Sequence, residues 1–243
     1  MAVNTYDGIT ECYDLLMRAG YYEHDAMAKA ANNVLGERTS VLELGVGTGL
    51  FAQNLAATNP SYEITGIDFT APMLDIAESR IGDEVDLVEA DVTEMDLGRT
   101  FDAAISSGGV WVAIRDGDDL LLGTHLLAAE ADVRGLHNVG EHLEPDGLLL
   151  LSIQPMHRDF DCELDGGIVY SQRVEPGESI DDEHFTIEKQ YSFTRDSEVL
   201  AEQTLELGFY RPQSRERILE EAGFTSAGAD NEERFVVYSK EPA

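Results

Sequence analysis

Hydrophobic and polar positions divide the chain into two alternating kinds of segment. Residues 40–44 and 101–106 are apolar almost throughout, which is typical of strands buried on both faces of a parallel sheet. Apolar residues at helical spacing separate such runs, and Gly-containing turns join them. This alternation predicts a doubly wound α/β domain. The strands expected in this part are 40–44, 63–67, 85–89, 101–106 and 147–153.

After residue 154 the apolar period changes from helical spacing to two. A period of two indicates strands with one buried face, so we expect an antiparallel insertion after the fifth strand. The inserted strands are predicted at 167–174, 185–193 and 200–209, with closing strands at 224–229 and 234–238. The expected helices are 9–18, 23–35, 73–81, a long one over 121–143, and 214–222.

These elements predict one domain, since 243 residues suffice for a single sizeable core. Its expected parts are an N-terminal helical cover (1–36), a mostly parallel core (37–154), a β insertion (166–210), and a closing helix and strands (211–243).

The chain is strongly acidic: 48 Asp and Glu against 16 Lys and Arg give a net charge of -32, spread along its whole length. Nucleic acids and anionic membranes are therefore disfavoured partners, because both attract basic surfaces. No apolar run is long enough to span a membrane, and the first residues do not resemble a secretory signal, so we expect a cytoplasmic protein. Cys12 and Cys162 are expected to be reduced thiols.

The segment VLELGVGTGL, residues 41–50, carries the strongest chemical signal. Gly45, Gly47 and Gly49 follow a buried strand, and glycine allows a tight turn with close backbone approach to a ligand. The spacing differs from the GxGxxG of dinucleotide-binding loops, and no GK[ST] phosphate loop follows. A plain strand-to-helix turn is the alternative.

From residue 35 to 151 the sequence resembles the class I S-adenosylmethionine (SAM)-dependent methyltransferases, which have a Rossmann-like, seven-stranded sheet. Glu43 stands two residues before the GxGxG loop, Asp68 ends the next strand, and Asp91 follows the third. The resemblance implies that Asp68 accepts the ribose hydroxyls, that Asp91 accepts from the adenine amino group, and that Glu43 lies near the cationic methionine end. It implies a larger set of cofactor contacts: Glu43, Gly45, Gly47, Gly49, Asp68, Phe69, Met73, Asp91, Val92 and Ser107.

Absent motifs narrow the methyl acceptor. The stretch 105–114 lacks the [DN]PP[YF] box of nucleic-acid and glutamine enzymes and the metal-binding Asp of catechol-type relatives, and neither cysteine follows a proline. We therefore expect methylation of nitrogen or oxygen on a small molecule, without a metal, as in natural-product biosynthesis. A layout similarity to N-methyltransferases of amino sugars and glycine is suggestive only.

Candidate acceptor residues lie near the strand ends and in the covering segments. His157 is the first candidate general base and Tyr22 the second; Trp111, Tyr170 and Tyr21 are candidate substrate contacts. Core packing of Trp111 and docking of the tyrosine pair are the structural alternatives. His125 and His137 are expected to be structural residues of the long helix.

Two other functional classes stay open. An NAD-dependent oxidoreductase shares the fold, although the glycine spacing argues against it. A SAM-binding protein without transferase activity fits the same motifs. The sequence does not decide between a monomer and a homo-oligomer.

The net charge of -32 leads to a stability prediction. The melting temperature should rise with added NaCl, because salt screens repulsion among the acidic side chains. Thermal unfolding followed by circular dichroism from low to about molar salt measures this, and a flat melting temperature would contradict it.

Overall fold

The structure is a computed structural model that describes residues 6–241. Its helices, in chain order, are α1 (Thr10–Leu16), which continues into a π-helical turn (Met17–Tyr21), α2 (His24–Leu35), α3 (Leu50–Thr58), α4 (Ala71–Ile81), α5 (Ala129–Glu141) and α6 (Pro212–Glu221). Its strands are β1 (Ser40–Leu44), β2 (Glu63–Asp68), β3 (Asp86–Glu89), β4 (Phe101–Ser106), β5 (Trp111–Asp116), β6 (Asp119–Thr124), β7 (Leu143–Pro155), β8 (Phe160–Leu164), β9 (Ile168–Ser179), β10 (His184–Arg195), β11 (Glu198–Tyr210), β12 (Phe224–Ala229) and β13 (Phe235–Lys240).

The first half of the molecule is built on parallel strands in the order β3-β2-β1-β4-β7. β13 pairs antiparallel with β7, and β12 with β13. One face packs against α5 and α6 and the other against α2, α3 and α4. Because both faces are covered, β1 and β4 are buried nearly throughout. The predicted α/β fold is confirmed.

β7 joins this layer to a second, antiparallel one. Its first part pairs with β4 and β13, and its end, Ile153–Pro155, pairs with β5. From β5 the ladder continues through β6, β11, β10, β9 and β8. The inserted strands thus lie beyond the carboxyl ends of the parallel strands, where ligands of open α/β sheets bind.

The prediction of one long helix over 121–143 is wrong. Residues 121–124 of that stretch belong to strand β6, which forms a hairpin with β5 in which Trp111 lies opposite Thr124, and only Ala129–Glu141 is helical. The turn sequence Asp116-Gly117-Asp118 explains the difference, since Gly117 has a φ of +62°, which glycine adopts without strain. Strand β8 was not predicted, because FDCEL is short and two of its five residues are acidic.

A buried carboxylate, Asp132 of α5, ties the two layers together. It is fully buried and accepts hydrogen bonds from Trp111 Nε1 (2.7 Å), Thr124 Oγ1 (2.5 Å) and Tyr210 Oη (2.8 Å). These donors come from β5, β6 and β11, so one side chain fixes α5 against three strands. Desolvation raises the pKa of Asp132 to about 6, although the three hydrogen bonds oppose the shift.

No helix within residues 6–241 has the length and apolar character needed to cross a membrane.

Replacement of Asp132 by alanine should leave three buried hydrogen-bond donors without an acceptor and lower the free energy of unfolding by about 3 kcal/mol. Urea denaturation measures this change. Glu130→Ala is the matched control, since Glu130 is an exposed acid in the same helix and should change stability by less than about 0.5 kcal/mol. Equal effects of the two substitutions would contradict the role given to Asp132.

Candidate functional site

The glycine loop after β1 turns sharply beside the end of β2. Gly45, Gly47 and Gly49 all have positive φ, between 54° and 81°, a region that disfavours other residues. The N–H groups of Gly45 and Val46 both donate to the carbonyl of Ile67, at 2.9 and 2.8 Å. The loop is therefore held against β2 by its own backbone.

Two glycine backbones meet where β1 and β4 end. A Cβ on Gly45 would lie 2.7 Å from the Cα of Gly109, and a Cβ on Gly109 would lie 2.1 Å from the carbonyl oxygen of Leu44. No side chain fits between these loops. This contact places Ser107 and Gly108 directly beside the glycine loop.

Asp68, at the end of β2, stands at the edge of a cavity of about 300 Å³. Its carboxylate accepts the N–H of Gly47 and the N–H of Thr70, both at 2.9 Å. Desolvation raises the pKa of Asp68, while these backbone hydrogen bonds act in the opposite direction. Asp68 therefore orders the glycine loop and also borders the cavity.

Glu43 lies one strand away and is almost completely buried, with 1% of its surface exposed. Oε1 accepts a hydrogen bond from the hydroxyl of Ser107 at 2.9 Å, whereas Oε2 is buried without a partner. Desolvation raises the pKa of Glu43 to about 8, the Ser107 bond lowers it, and the charge of Asp68 raises it further. Glu43 borders a small cavity of about 50 Å³ that it shares with Gly45, Gly47, Ser107 and Gly108. Its unpaired oxygen is suited to a cationic ligand.

The predicted cofactor residues fall into two groups. Those that line the two cavities are Glu43, Gly45, Gly47, Asp68, Phe69, Asp91, Val92 and Ser107. Gly49 and Met73 do not line them: Gly49 approaches Ala77 and Ile81 of α4, and Met73 is buried in the first turn of that helix. Asp91 is exposed, and its Oδ1 accepts from the N–H and the hydroxyl of Thr93, both at 2.8 Å.

The N-terminal segment covers the site through Tyr21 and Tyr22. Gly20, with a φ of +90°, breaks the π-helical turn and reverses the chain toward the strand ends. Tyr22 Oη then donates to Gln154 at 3.2 Å, and its ring approaches Gly108. Tyr21 Oη donates to Gln172 at 2.9 Å. Desolvation raises the pKa of both phenols, that of Tyr21 to about 12, so both stay protonated at neutral pH.

Beyond Tyr22 lie two further cavities. The larger, about 430 Å³, is bordered by Tyr21, Tyr22, Gln154 and His157. The smaller, about 20 Å³, is bordered by Gly108, His125, His157 and Lys189. The structure thus brings His157, Tyr21 and Tyr22 together around these cavities.

His157 is a weak proton acceptor in this environment. Desolvation, reinforced by the charges of Lys189 and His125, holds its pKa well below the usual value. The ring is therefore neutral at physiological pH, and its low basicity limits the general-base role expected of it.

Trp111 and Tyr170 do not border these cavities. Trp111 is fully buried and donates to Asp132, which corresponds to the core-packing alternative. Tyr170 is also fully buried; its ring packs on Phe193, with centroids 5.0 Å apart, and its hydroxyl donates to Gln172. It supports Gln172 from behind and does not face the pocket.

Sequence reasoning missed Lys189 and misplaced His125. His125 lies outside any helix and borders both the cavity of about 300 Å³ beside Asp68 and the cavity of about 20 Å³ beside Lys189, so its expected helical position is wrong. Lys189 occupies an inward position in the pattern Ile187, Lys189, Tyr191, and a charged residue at such a position was the available signal.

A family model described as a methyltransferase domain matches residues 41–124, which include the glycine loop, Asp68 and Asp91. This part of the chain therefore matches a methyltransferase domain.

Curated relatives match the methyltransferase domain over part of their own length. A malonyl-[acyl-carrier protein] O-methyltransferase of Priestia megaterium is 29% identical over 85 residues, 35% of this chain and 31% of the relative. A demethylmenaquinone methyltransferase of Thermotoga maritima is 39% identical over 85 residues, 34% of this chain and 37% of the relative. The matched segment therefore spans only about a third of these two proteins.

Solved structures resemble the whole fold, including the β insertion. DesVI of Streptomyces venezuelae superposes with a TM-score of 0.69 at 18% identity, covering 95% of this chain and 97% of that protein. CalS10, an amino pentose methyltransferase of Micromonospora echinaspora involved in calicheamicin biosynthesis, gives 0.68 at 18% identity, with 94% and 96% covered. At this identity the likeness concerns the fold alone.

The contact between the two glycine backbones leads to a prediction for the methyltransferase domain. Gly109→Ala should push the loop after β4 away from the glycine loop, because its Cβ would overlap a backbone carbonyl. We expect SAM affinity to fall about tenfold or more and unfolding free energy to fall by about 2 kcal/mol. Calorimetric titration and urea denaturation measure both; Gly140→Ala, in a helix with no neighbour nearer than 3.8 Å, should leave SAM affinity unchanged and should not lower the unfolding free energy. Wild-type SAM affinity in Gly109→Ala would show that the close approach is not required.

Proposed function

We propose that this protein is an enzyme that transfers the methyl group of SAM to a nitrogen or oxygen atom of a small molecule. The observation that carries the proposal is the buried, unpaired Oε2 of Glu43 beside the glycine loop. A carboxylate there compensates a cation, and SAM carries its positive sulfonium and ammonium groups at one end.

The residues around the cofactor cavity fit SAM. Asp68 has carboxylate lone pairs available beyond its two backbone hydrogen bonds, and it would hold the ribose hydroxyls. Asp91 would accept from the adenine amino group, with Phe69 and Val92 bordering the base. The glycine loop would approach the methionine portion, with Glu43 facing its cationic groups.

SAM, when bound, supplies an activated methyl group on its sulfonium, and the chain's residues supply orientation. Tyr22 and Gly108 border the cavities on both sides of the proposed transfer point, so the acceptor atom would approach between them. Holding a nucleophile about 3 Å from the methyl carbon and in line with the C–S bond is the main requirement. The N-terminal helical cover and the β insertion would exclude water, since Tyr21, Tyr22 and Lys189 come from these parts.

Names of similar proteins support different acceptor atoms. Four curated relatives are named malonyl-[acyl-carrier protein] O-methyltransferases, whereas similar structures include an amino pentose methyltransferase and a sugar N-methyltransferase. We propose a small-molecule acceptor whether the methylated atom is nitrogen or oxygen. The net charge of -32 disfavours a nucleic-acid acceptor. We also propose a cytoplasmic location, on the sequence grounds given above.

SAM binding should depend on pH through Glu43. The pKa of about 8 in the free protein falls when a cation binds, so binding releases a proton. Affinity should therefore rise from about pH 6 to about pH 8 and level off above that range. Titration calorimetry across this range measures it, and Glu43→Gln should remove the part of the slope that belongs to the carboxyl group.

Ionisation of the ammonium group of SAM is common to wild type and variant, so the difference between their profiles isolates Glu43. Identical profiles would refute the assigned contact. Mass analysis of small amines, phenols and carboxylic acids incubated with methyl-labelled SAM then tests transfer itself. SAM binding with no methylated product across the panel would favour a non-catalytic SAM-binding protein.

A further inference from the structure

Lys189 is a buried cation in a chain that is poor in cations. It is one of 16 Lys and Arg residues against 48 acids, yet only 2% of it is exposed. On β10 it shares the inward face with Ile187, Tyr191 and Phe193, all of them buried. An ammonium group in such a position is costly to fold unless something compensates it.

The Lys189 ammonium group contacts neutral aromatic groups. Nζ donates to Tyr21 Oη at 3.2 Å and lies 4.7 Å from the ring centroid of Tyr191 and 5.5 Å from that of Tyr21. Cation–π contacts offset only part of the cost of desolvating a charge. Desolvation accordingly lowers the pKa of Lys189 to about 7.

No carboxylate borders the two acceptor-side cavities among the described residues. Their titratable or charged groups are the tyrosines Tyr6, Tyr21, Tyr22 and Tyr191, together with Cys162, His125, His157, Arg158 and Lys189. The whole chain has three Asp or Glu residues for each Lys or Arg. These two cavities, in contrast, are bordered by Lys189 and Arg158 and, within residues 6–241, by no Asp or Glu. The pocket is therefore suited to an anion.

The position of Lys189 relates this charge to the methyl transfer. The cavity that it borders is also bordered by Gly108 and Tyr22, and these two residues border the cavity of Glu43 as well. A ligand group at Lys189 would therefore lie near the point where the cofactor and acceptor cavities meet.

We propose that the methyl acceptor carries an acidic oxygen, of a phenol or a carboxylic acid, and that this oxyanion is bound by Lys189 and receives the methyl group. This inference rests on the proposed methyltransferase function and names its substrate class.

The transfer balances with groups present in the pocket. A carboxylate acceptor arrives already ionised and pairs with the ammonium form of Lys189; a phenol passes its proton to the neutral amine, which produces the same ion pair. The acceptor oxygen then forms the new C–O bond as the methyl–sulfur bond breaks, and the bonding electron pair remains on sulfur as a neutral thioether.

A protonated amine acceptor is disfavoured by the same groups. It would meet the ammonium of Lys189 without an opposing carboxylate on the acceptor side, and His125 and His157, neutral because desolvation lowers both pKa values, offer no negative charge. Tyr21, Tyr22 and Tyr191 also stay protonated, since desolvation raises their pKa values.

The test uses the full-length protein and three probes with one aromatic frame: benzoate, phenol and benzylamine. SAM affinity is measured first by calorimetry, which tests the proposed function by itself. Each probe is then titrated into protein saturated with S-adenosylhomocysteine, and turnover is followed with methyl-labelled SAM. We expect benzoate or phenol to bind at least about tenfold more tightly than benzylamine, and the labelled product, methyl benzoate or anisole, identifies the acidic group that is used.

Lys189→Met removes the charge but retains a long apolar side chain, so folding should be preserved. We expect SAM affinity within about twofold of wild type, with binding of the oxyanion probe weakened at least about tenfold. Lys189→Arg should retain most of the probe affinity, and Lys29→Met, at an exposed site, should have no effect. If Lys189→Met does not fold, the inference is tested by the probe preference of the wild type and by the probe affinity of Lys189→Arg.

Two results would overturn the inference while SAM binding remains intact. One is that neither benzoate nor phenol binds more tightly than benzylamine; failure of all three probes to bind counts as this result. The other is unchanged oxyanion binding in folded Lys189→Met. If the wild type does not bind SAM, the proposed function itself is refuted.

Discussion

The site depends on two backbones that approach each other with no side chain between them. Adjacent parallel strands lie about 4.8 Å apart, and the loops that leave β1 and β4 stay in close contact because Gly45 and Gly109 lack a Cβ. Through this contact the hydroxyl of Ser107 reaches Glu43. It also means that β5 begins two residues beyond Gly109, at Trp111, so the second layer starts directly at the cofactor site.

Charge divides the site into two regions. Glu43, Asp68 and Asp91 border the cavities proposed for the cofactor, and desolvation raises the pKa values of the first two. Lys189 and Arg158 border the cavities proposed for the acceptor. The two cationic groups of SAM and an anionic acceptor would each meet the complementary sign, and the neutral ring of Tyr22 would separate them. The surface charge of -32 does not reveal this division, because it averages over the whole chain.

What the sequence predicted well was local. The glycine loop and the acidic residue at the end of β2 follow from a strand and its turn, and residues 40–44 and 101–106 were bounded correctly because short, mainly apolar segments mark buried parallel strands. The acceptor side depends on contacts across long sequence distances, such as that between Tyr21 and Lys189, and no short pattern encodes these. The role of Trp111 was equally hard to predict from the sequence. Its indole N–H donates to Asp132, which lies 21 residues later in the chain, in a helix that begins later than predicted.

Arg80 links the N-terminal cover to the glycine loop. Its guanidinium group pairs with Asp14 of α1, with Nη2 at 2.8 and 3.0 Å from the two carboxylate oxygens, and it also donates to the carbonyl of Thr48. Both charged side chains are shielded, with 13% and 11% exposed, so separating them would leave a poorly solvated charge. Displacement of α1 therefore disturbs the loop beside Glu43 as well as the Tyr21 and Tyr22 pair. Because the same helical segment continues into Tyr21 and Tyr22, one ion pair connects the position of the glycine loop to that of the tyrosine pair.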